Sequence, residues 1–391
     1  MDHKFENIRA FEDKDLPVVI KRLVANNWFI RNSRMMIFPK LPAFLNPIAD
    51  KGLQVFLYFR LMPIKTTIDL HKEIFIDKVV SNIIFKTTDG VHCSGLENLD
   101  PDKPYLFVSN HRDISLDPIL LNYILCSNNF PPAEIGFGNN LMFNKPLTDL
   151  IRIYGSYIIQ RDLPKREKIL AVANLSSYIW NRLMGGKSIW IAQRKGRAKD
   201  GFDKTNPSLL KMLYFSRKKE GMSFSEYIES VNLIPVAVSY EYDPLDRLKA
   251  WELHQIENKG KHKKARMEDM TSVIYGLKGD KGRINCSFGE KLTVKCKDVR
   301  EAALEIDRQI YLNYKLWPTN YIAYDLLTGK SEYSNHYTIF EKKEFLNRYY
   351  NLKDYVYHII LQTYANPLIN KIKAVRDGRD RPVQESDRPV Q

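Results

Sequence analysis

The sequence predicts an α/β fold: a mixed, largely parallel sheet flanked by helices, with helical N- and C-terminal extensions. Three observations carry this. Between Gly95 and about residue 290, short apolar runs alternate with segments of helical periodicity, as in strands joined by crossover helices. The first 85 residues, and those after 298, place apolar residues at helical spacing only. The composition, 44% hydrophobic and 27% charged over 391 residues, is that of a globular chain long enough to bury a core.

Residues 1–85 read as a helical N-terminal region. Leu16–Ile30 sets Val19, Ile20, Leu23 and Val24 near one face, and Leu53–Met62 reads LQVFLYFRLM. Pro39, Pro42 and Pro47 separate the two, since a helix seldom runs through such a cluster. Residues 86–298 form the α/β domain, with strands expected at Tyr105–Ser109, Glu134–Phe137, Tyr157–Gln160, Ser188–Ala192, Leu233–Ser239 and Ile284–Phe288. Helices are expected at Pro118–Tyr123, Leu141–Ile153 and Arg166–Leu183. Residues 299–376 return to helix, notably Val299–Leu316 and Glu341–Ala365. Residues 377–391, with DRPVQ twice among polar residues, read as a disordered tail.

Sixty Lys and Arg against 46 Asp and Glu give a formal charge of +14, and 12% of the residues are aromatic. Such a chain expects an anionic partner: nucleic acid, a membrane surface or a phosphorylated substrate. No RNP-like or helix-turn-helix signature supports nucleic acid. Cys93, Cys126, Cys286 and Cys296 show no C-x-x-C pairing, so reduced thiols are expected rather than a disulfide framework or a zinc knuckle. His71, His92, His254, His336 and His358 have no ligand-like spacing, and no metal is expected. The charged start lacks the apolar core of a signal peptide, and no apolar run approaches the ~18 residues of a membrane span. A cytoplasmic protein, peripherally attached to the inner face of the membrane, is therefore expected. Lys259–Arg266 (KGKHKKAR) reads as an exposed basic loop suited to anionic lipid.

The chemistry concentrates after the run YLFVS, in Asn110-His111-Arg112-Asp113-Ile114-Ser115-Leu116-Asp117-Pro118. A kinase catalytic loop also contains His-Arg-Asp, but Pro118 stands where that loop needs a metal-binding Asn. A His at a strand end beside carboxylates is instead a candidate general base, its imidazole oriented by Asp117 or by Asp113. Further along, Gly155 precedes a strand and Arg161 follows it. Arg194, Lys195, Arg197 and Lys199 surround Gly196 after another strand, and Ile234–Val238 (IPVAV) opens a third. Strand ends of this kind gather active sites in α/β sheets.

Taken together, Asn110–Asp117, Gly155–Arg161, Lys195–Gly201 and Ile234–Val238 resemble the four motif boxes of the glycerol-phosphate acyltransferase superfamily, which includes 1-acylglycerol-3-phosphate acyltransferases. The resemblance covers roughly residues 93–290. It implies that His111 deprotonates an acceptor hydroxyl, which attacks the thioester of acyl-CoA or acyl carrier protein, with no other cofactor. It also implies that Arg161 and Arg197 bind the acceptor phosphate, for which a guanidinium fork is suited. Asn110, Arg112, Gly155, Arg194, Lys195, Gly196 and Lys199 complete the expected substrate-binding set. The implied acceptor is lysophosphatidic acid or another lysophospholipid, then glycerol-3-phosphate or a lyso-aminolipid. The chain departs from the family at three places. Five residues rather than four separate His111 from Asp117, with Asp117 still the expected partner. One residue is missing between Gly196 and Arg197, and Lys195 replaces the usual glutamate. A site altered by Lys195 would alternatively define a non-catalytic, lipid-binding relative.

Overall fold

The computed structural model describes residues 3–161, 163–262, 265 and 268–379. Its centre is a seven-stranded sheet: β1 (Val91–Ser94), β2 (Leu106–Ser109), β3 (Glu134–Gly138), β4 (Ser156–Ile159), β5 (Ile189–Ala192), β6 (Leu233–Tyr240) and β7 (Ile284–Phe288). They lie in the order β1-β7-β6-β2-β5-β3-β4. The five strands from β6 to β4 are parallel, whereas β7 runs antiparallel to β6 and β1 parallel to β7. The sheet is thus mixed and largely parallel, as expected.

Parallel strands are covered on both faces, so their side chains alternate between two cores. Leu106, Val108, Ile189 and Ile191 enter one, against the helices Lys165–Met184, Pro207–Lys219, Phe224–Val231 and Val299–Asn313. Phe107, Trp190, Ile234, Val236 and Val238 enter the other, against the helix Leu116–Ser127 and the helical run ending at Thr87. Pro235 sits within the central strand β6, where a missing N–H would ordinarily cost a ladder bond. Its carbonyl accepts from Gly289, just past the last β7 residue, so its nitrogen faces the point where the β7 ladder stops.

Several elements differ from the sequence reading. β1 was not anticipated because VHCS has no apolar run: three of its four residues are exposed at the sheet edge. Leu16–Ile30 is two helices, Leu16–Val24 and Asn27–Ile37, because the Asn26 side chain accepts from the amides of Trp28 and Phe29 and caps the second. Glu341–Ala365 is likewise divided, into Ile339–Tyr349 and Asp354–Arg379. The second of these continues through 377–379, so the tail expected from 377 is helical at its start; both DRPVQ segments lie outside the described residues. Between β6 and β7 the chain forms two helices, Asp246–Lys259 and Glu268–Lys278, where only a basic loop was expected. Lys263, Lys264 and Arg266 of that loop lie outside the described residues. The four cysteines are free thiols, Cys93 exposed and the other three buried. Among the described residues, no helix is long and apolar enough to cross a membrane.

Candidate active site

The carboxyl ends of β2, β3, β4 and β5 open together into a cavity of about 690 Å³. β2 delivers His111 to it, β3 Gly138, β4 Arg161, and β5 the turn holding Arg194 to Lys199. Ligands collect at this edge of parallel sheets because the loops there are free of the ladder and diverge around a crevice. Its apolar lining is Ile114, Phe137, Leu141, Ile159, Leu163, Trp190, Leu209 and Met212. Its charged lining is Arg161, Lys168, Arg194, Lys195, Arg197 and Lys199 against one carboxylate, Asp269, among the described residues.

His111 is held from two sides. Its Nδ1 lies 2.8 Å from Asp117 Oδ2, and its ring meets the edge of Trp190, with centroids 5.9 Å apart. A carboxylate only accepts, so the Nδ1 proton points to Asp117 and the Nε2 lone pair is left for chemistry. Asp117 is fully buried and accepts three further bonds: from the amides of Arg112 (2.7 Å) and Asp113 (3.0 Å) and from the Tyr240 hydroxyl (2.6 Å). Burial alone would raise its pKa; the hydrogen bond and charge of His111, with the Tyr240 hydroxyl, more than reverse this and hold the carboxyl below its ordinary value. Tyr240 has no signal in the sequence, since it reaches Asp117 across 123 positions of chain.

The longer spacing between His111 and Asp117 is absorbed by the intervening turn. Asp113 Oδ1 accepts from the amides of Ser115 (3.0 Å) and Leu116 (2.8 Å), tying down the start of the helix Leu116–Ser127. Asp113 therefore organises the turn, and Asp117 rather than Asp113 is the carboxylate that meets His111.

Three other residues expected at the substrate lie elsewhere. Asn110 is buried and pairs with a single residue of β6, accepting from Val238 N (2.7 Å) and donating to Val238 O (2.9 Å), which prolongs the ladder beyond Ser109. Arg112 is buried, forks onto Asp203 at 2.5 and 3.2 Å and lies over the Tyr314 ring, so its charge faces the interior. Gly155 stands at the opposite end of β4 from the cavity and serves the turn into that strand with φ +87°. Its positive φ, not a substrate, explains the glycine. The Arg112–Asp203 pair is a structural tie between the first motif and the segment just past the third. Asp203→Ala is accordingly expected to lower stability by about 3–5 kcal/mol, the range for breaking a buried ion pair, as read by denaturant unfolding.

The structure does bring together Arg161, Arg194, Lys195, Gly196, Arg197 and Lys199. The Arg161 guanidinium rests on Gly138, where a Cβ would stand 2.6 Å from its Cζ. Ala198 N donates to His111 O (2.7 Å), fastening the cationic turn to the strand end that carries the histidine. The unanticipated helix pair between β6 and β7 covers this wall. Glu252 ion-pairs with Lys199, Arg197 Nη2 donates to Ser272 Oγ (3.3 Å), and Asn140 Nδ2 donates to Asp269 (3.1 Å). Ligand atoms of Glu252, His262 and Glu268 come within 4.8 Å of one another, but Lys199 is already paired with Glu252 and His262 with Glu268.

The site thus joins a strand-end histidine on a buried aspartate to a cavity lined by both apolar and cationic side chains. A model of the acyltransferase family matches residues 90–237. The matched span takes in the first three motifs and most of the fourth. The crystal structure of the 1-acyl-sn-glycerophosphate (LPA) acyltransferase from Thermotoga maritima is similar, with 15% sequence identity and a TM-score of 0.39, covering 76% of this chain and 94% of that one. No curated protein matches the chain.

Proposed function

We propose that the chain transfers a fatty acyl group from an acyl thioester, acyl-CoA or acyl carrier protein, to the hydroxyl of a phosphorylated acceptor. The acceptor is a lysophospholipid such as 1-acylglycerol-3-phosphate, or glycerol-3-phosphate. The observation that carries this is His111, oriented by Asp117, in one cavity with both apolar and cationic side chains. The apolar lining suits an acyl chain and the cationic lining a phosphate, and in this reading the acceptor hydroxyl lies at His111. Nε2 takes the hydroxyl proton as the oxygen attacks the thioester carbonyl. The carbon–sulfur bond then breaks, and the imidazolium returns the proton to the leaving thiolate. Asp117 stabilises the transient imidazolium without taking a proton. The test is transfer of a labelled acyl group by the purified protein across a panel of lysolipids and glycerol-3-phosphate with both donors. Vesicle binding without turnover on any pair would leave the non-catalytic reading instead.

Arg194 and Arg197 are assigned to the acceptor phosphate together with Arg161, all three lining the cavity of His111. Replacing either with alanine is expected to lower kcat/KM for a phosphorylated acceptor about 10–100-fold, mainly through KM, because a charge-assisted bond is worth about 1.5–3 kcal/mol. An equal loss with an uncharged monoacylglycerol acceptor would remove that assignment.

Access to lipid is proposed through the N-terminal helices. Their inner faces form a small core around Leu16, Ile20, Leu23 and Leu61. Their outer faces leave Met36, Phe44, Ile48, Phe56 and Phe59 between 62% and 78% exposed, with Arg31, Lys40 and Lys51 exposed among them. A surface rimmed by cations and this apolar suits an anionic bilayer, where rings insert and lysines meet phosphates. Phe56→Asp with Phe59→Asp is expected to weaken sedimentation with phosphatidic acid vesicles at least tenfold, since burying each ring contributes about 1.5–3 kcal/mol. Unchanged sedimentation would place the contact on another face.

A further inference from the structure

A second cavity, of about 670 Å³, lies at the β1–β7 side of the sheet and shares no lining residue with the first. One wall comes from the edge strands. There Ser94 Oγ donates to Ser287 Oγ (3.0 Å) and Asn285 Nδ2 to the same oxygen (2.7 Å), so that two strands present an ordered hydroxyl and amide surface. The facing wall comes from the turn after the helix Val299–Asn313, which supplies Lys315, and from the helix Asp354–Arg379, which supplies Lys371.

The charge on these walls is one-sided. No carboxylate lines the cavity among the described residues. Arg283 is already satisfied, forked onto Glu241 at 2.6 and 2.8 Å and lying over Trp317. Lys315 and Lys371 form no ion pair among the described residues: Lys315 Nζ lies 5.9 Å from the centre of the Trp317 ring, and Lys371 Nζ donates to the Tyr314 carbonyl, at 3.3 Å. Burial, and then the charge of Lys315, both press Lys371 toward its neutral form. Two ammonium groups that repel each other on one wall of a cavity are relieved by an anion that meets both.

We propose that this cavity binds the phosphoryl group of a hydrophilic phosphate ester. A phosphate dianion matches two ammonium groups and offers acceptor oxygens to the Ser and Asn side chains. The cavity exceeds one phosphate, and its hydroxyl and amide wall suits a polyol rather than an acyl chain. The ester comes either from a soluble metabolite or from a lipid headgroup. The proposal does not rest on the acyl-transfer reading, since the first cavity contributes nothing to it.

Calorimetric titration of inorganic phosphate at constant ionic strength tests it, using full-length Arg194→Ala/Arg197→Ala protein to weaken phosphate binding in the first cavity. One saturable site is expected to remain, to compete with sulfate but not chloride, and to weaken at least tenfold when Lys315→Gln and Lys371→Gln are added. Lys315→Gln alone, at an exposed position, is expected to weaken it at least threefold, which guards against misfolding of the double replacement. Equal phosphate affinity with and without the glutamines, or binding no tighter than chloride, overturns the proposal. Glycerol-3-phosphate and phosphatidic acid vesicles then separate the two sources: the glutamine variants lose the first ligand if it is soluble and the second if it is a headgroup. Loss of neither also counts against the site. Acyl-transfer assays of the same variants report separately on the first cavity.

Discussion

The His111→Ala protein is expected to transfer acyl groups about 10²–10⁴-fold more slowly than the unaltered chain, the usual contribution of a positioned general base. The effect should fall on kcat and kcat/KM alike, because Nε2 acts on the hydroxyl proton only as the thioester is attacked. Binding should survive: most of the apolar lining and the cationic turn of the cavity come from β3, β4, β5 and the helix Pro207–Lys219, which are held by the sheet and its two cores. Single-turnover transfer from a labelled thioester, with acceptor affinity measured separately, distinguishes the two quantities. A rate within threefold of the original would sink the assignment of His111 as base.

Asp117→Asn is expected to damage both catalysis and stability. The carboxylate accepts from four donors: His111 Nδ1–H, two amides and the Tyr240 hydroxyl. An asparagine at this place must aim its NH₂ at some of them. If the amide nitrogen faces His111, the imidazole shifts its proton to Nε2 and the base is lost. A rate loss comparable to that of His111→Ala is expected, together with about 3–5 kcal/mol of destabilisation from the broken buried network. The pH dependence follows from the sign of the pKa shift. The folded carboxyl lies below its unfolded value of about 3.9, so its stabilisation is complete above that pH and is lost as pH falls through the folded pKa. The unaltered chain should therefore lose stability on acidification below about pH 4 more steeply than Asp117→Asn. Parallel acid-unfolding curves would refute the role given to the carboxylate charge.

Local pattern made much of this protein legible. Six of the seven strands announce themselves as apolar runs, because a strand buried on both faces has few polar positions to interrupt it. β1 escaped because an exposed edge strand need not be apolar. The helix covering the cationic wall, Glu268–Lys278, escaped because it is held by contacts with distant residues such as Arg197 rather than by a strong apolar stripe of its own.

The site divides along the same line. His111 and the cations after β5 are local features, fixed in place by the strand ends they follow, and their chemistry can be read from residue type and spacing. Which polar side chains face the cavity cannot be so read. Asn110, Arg112 and Asp113 are neighbours of His111, yet their partners are Val238, Asp203 and the amides of the next helix turn. Asp117 could be named as the orienting acid, but the reason it stays ionised is partly Tyr240, brought from β6. Glu252, against Lys199, comes from a segment whose sequence suggested only a loop. The sequence alone determined six of the seven strands, the candidate base and the sign of the site's charge, because each follows from residues close together in the chain. Tertiary structure decided which charges are spent on folding and which remain for a ligand, because a buried polar group must find its partner wherever the fold brings one.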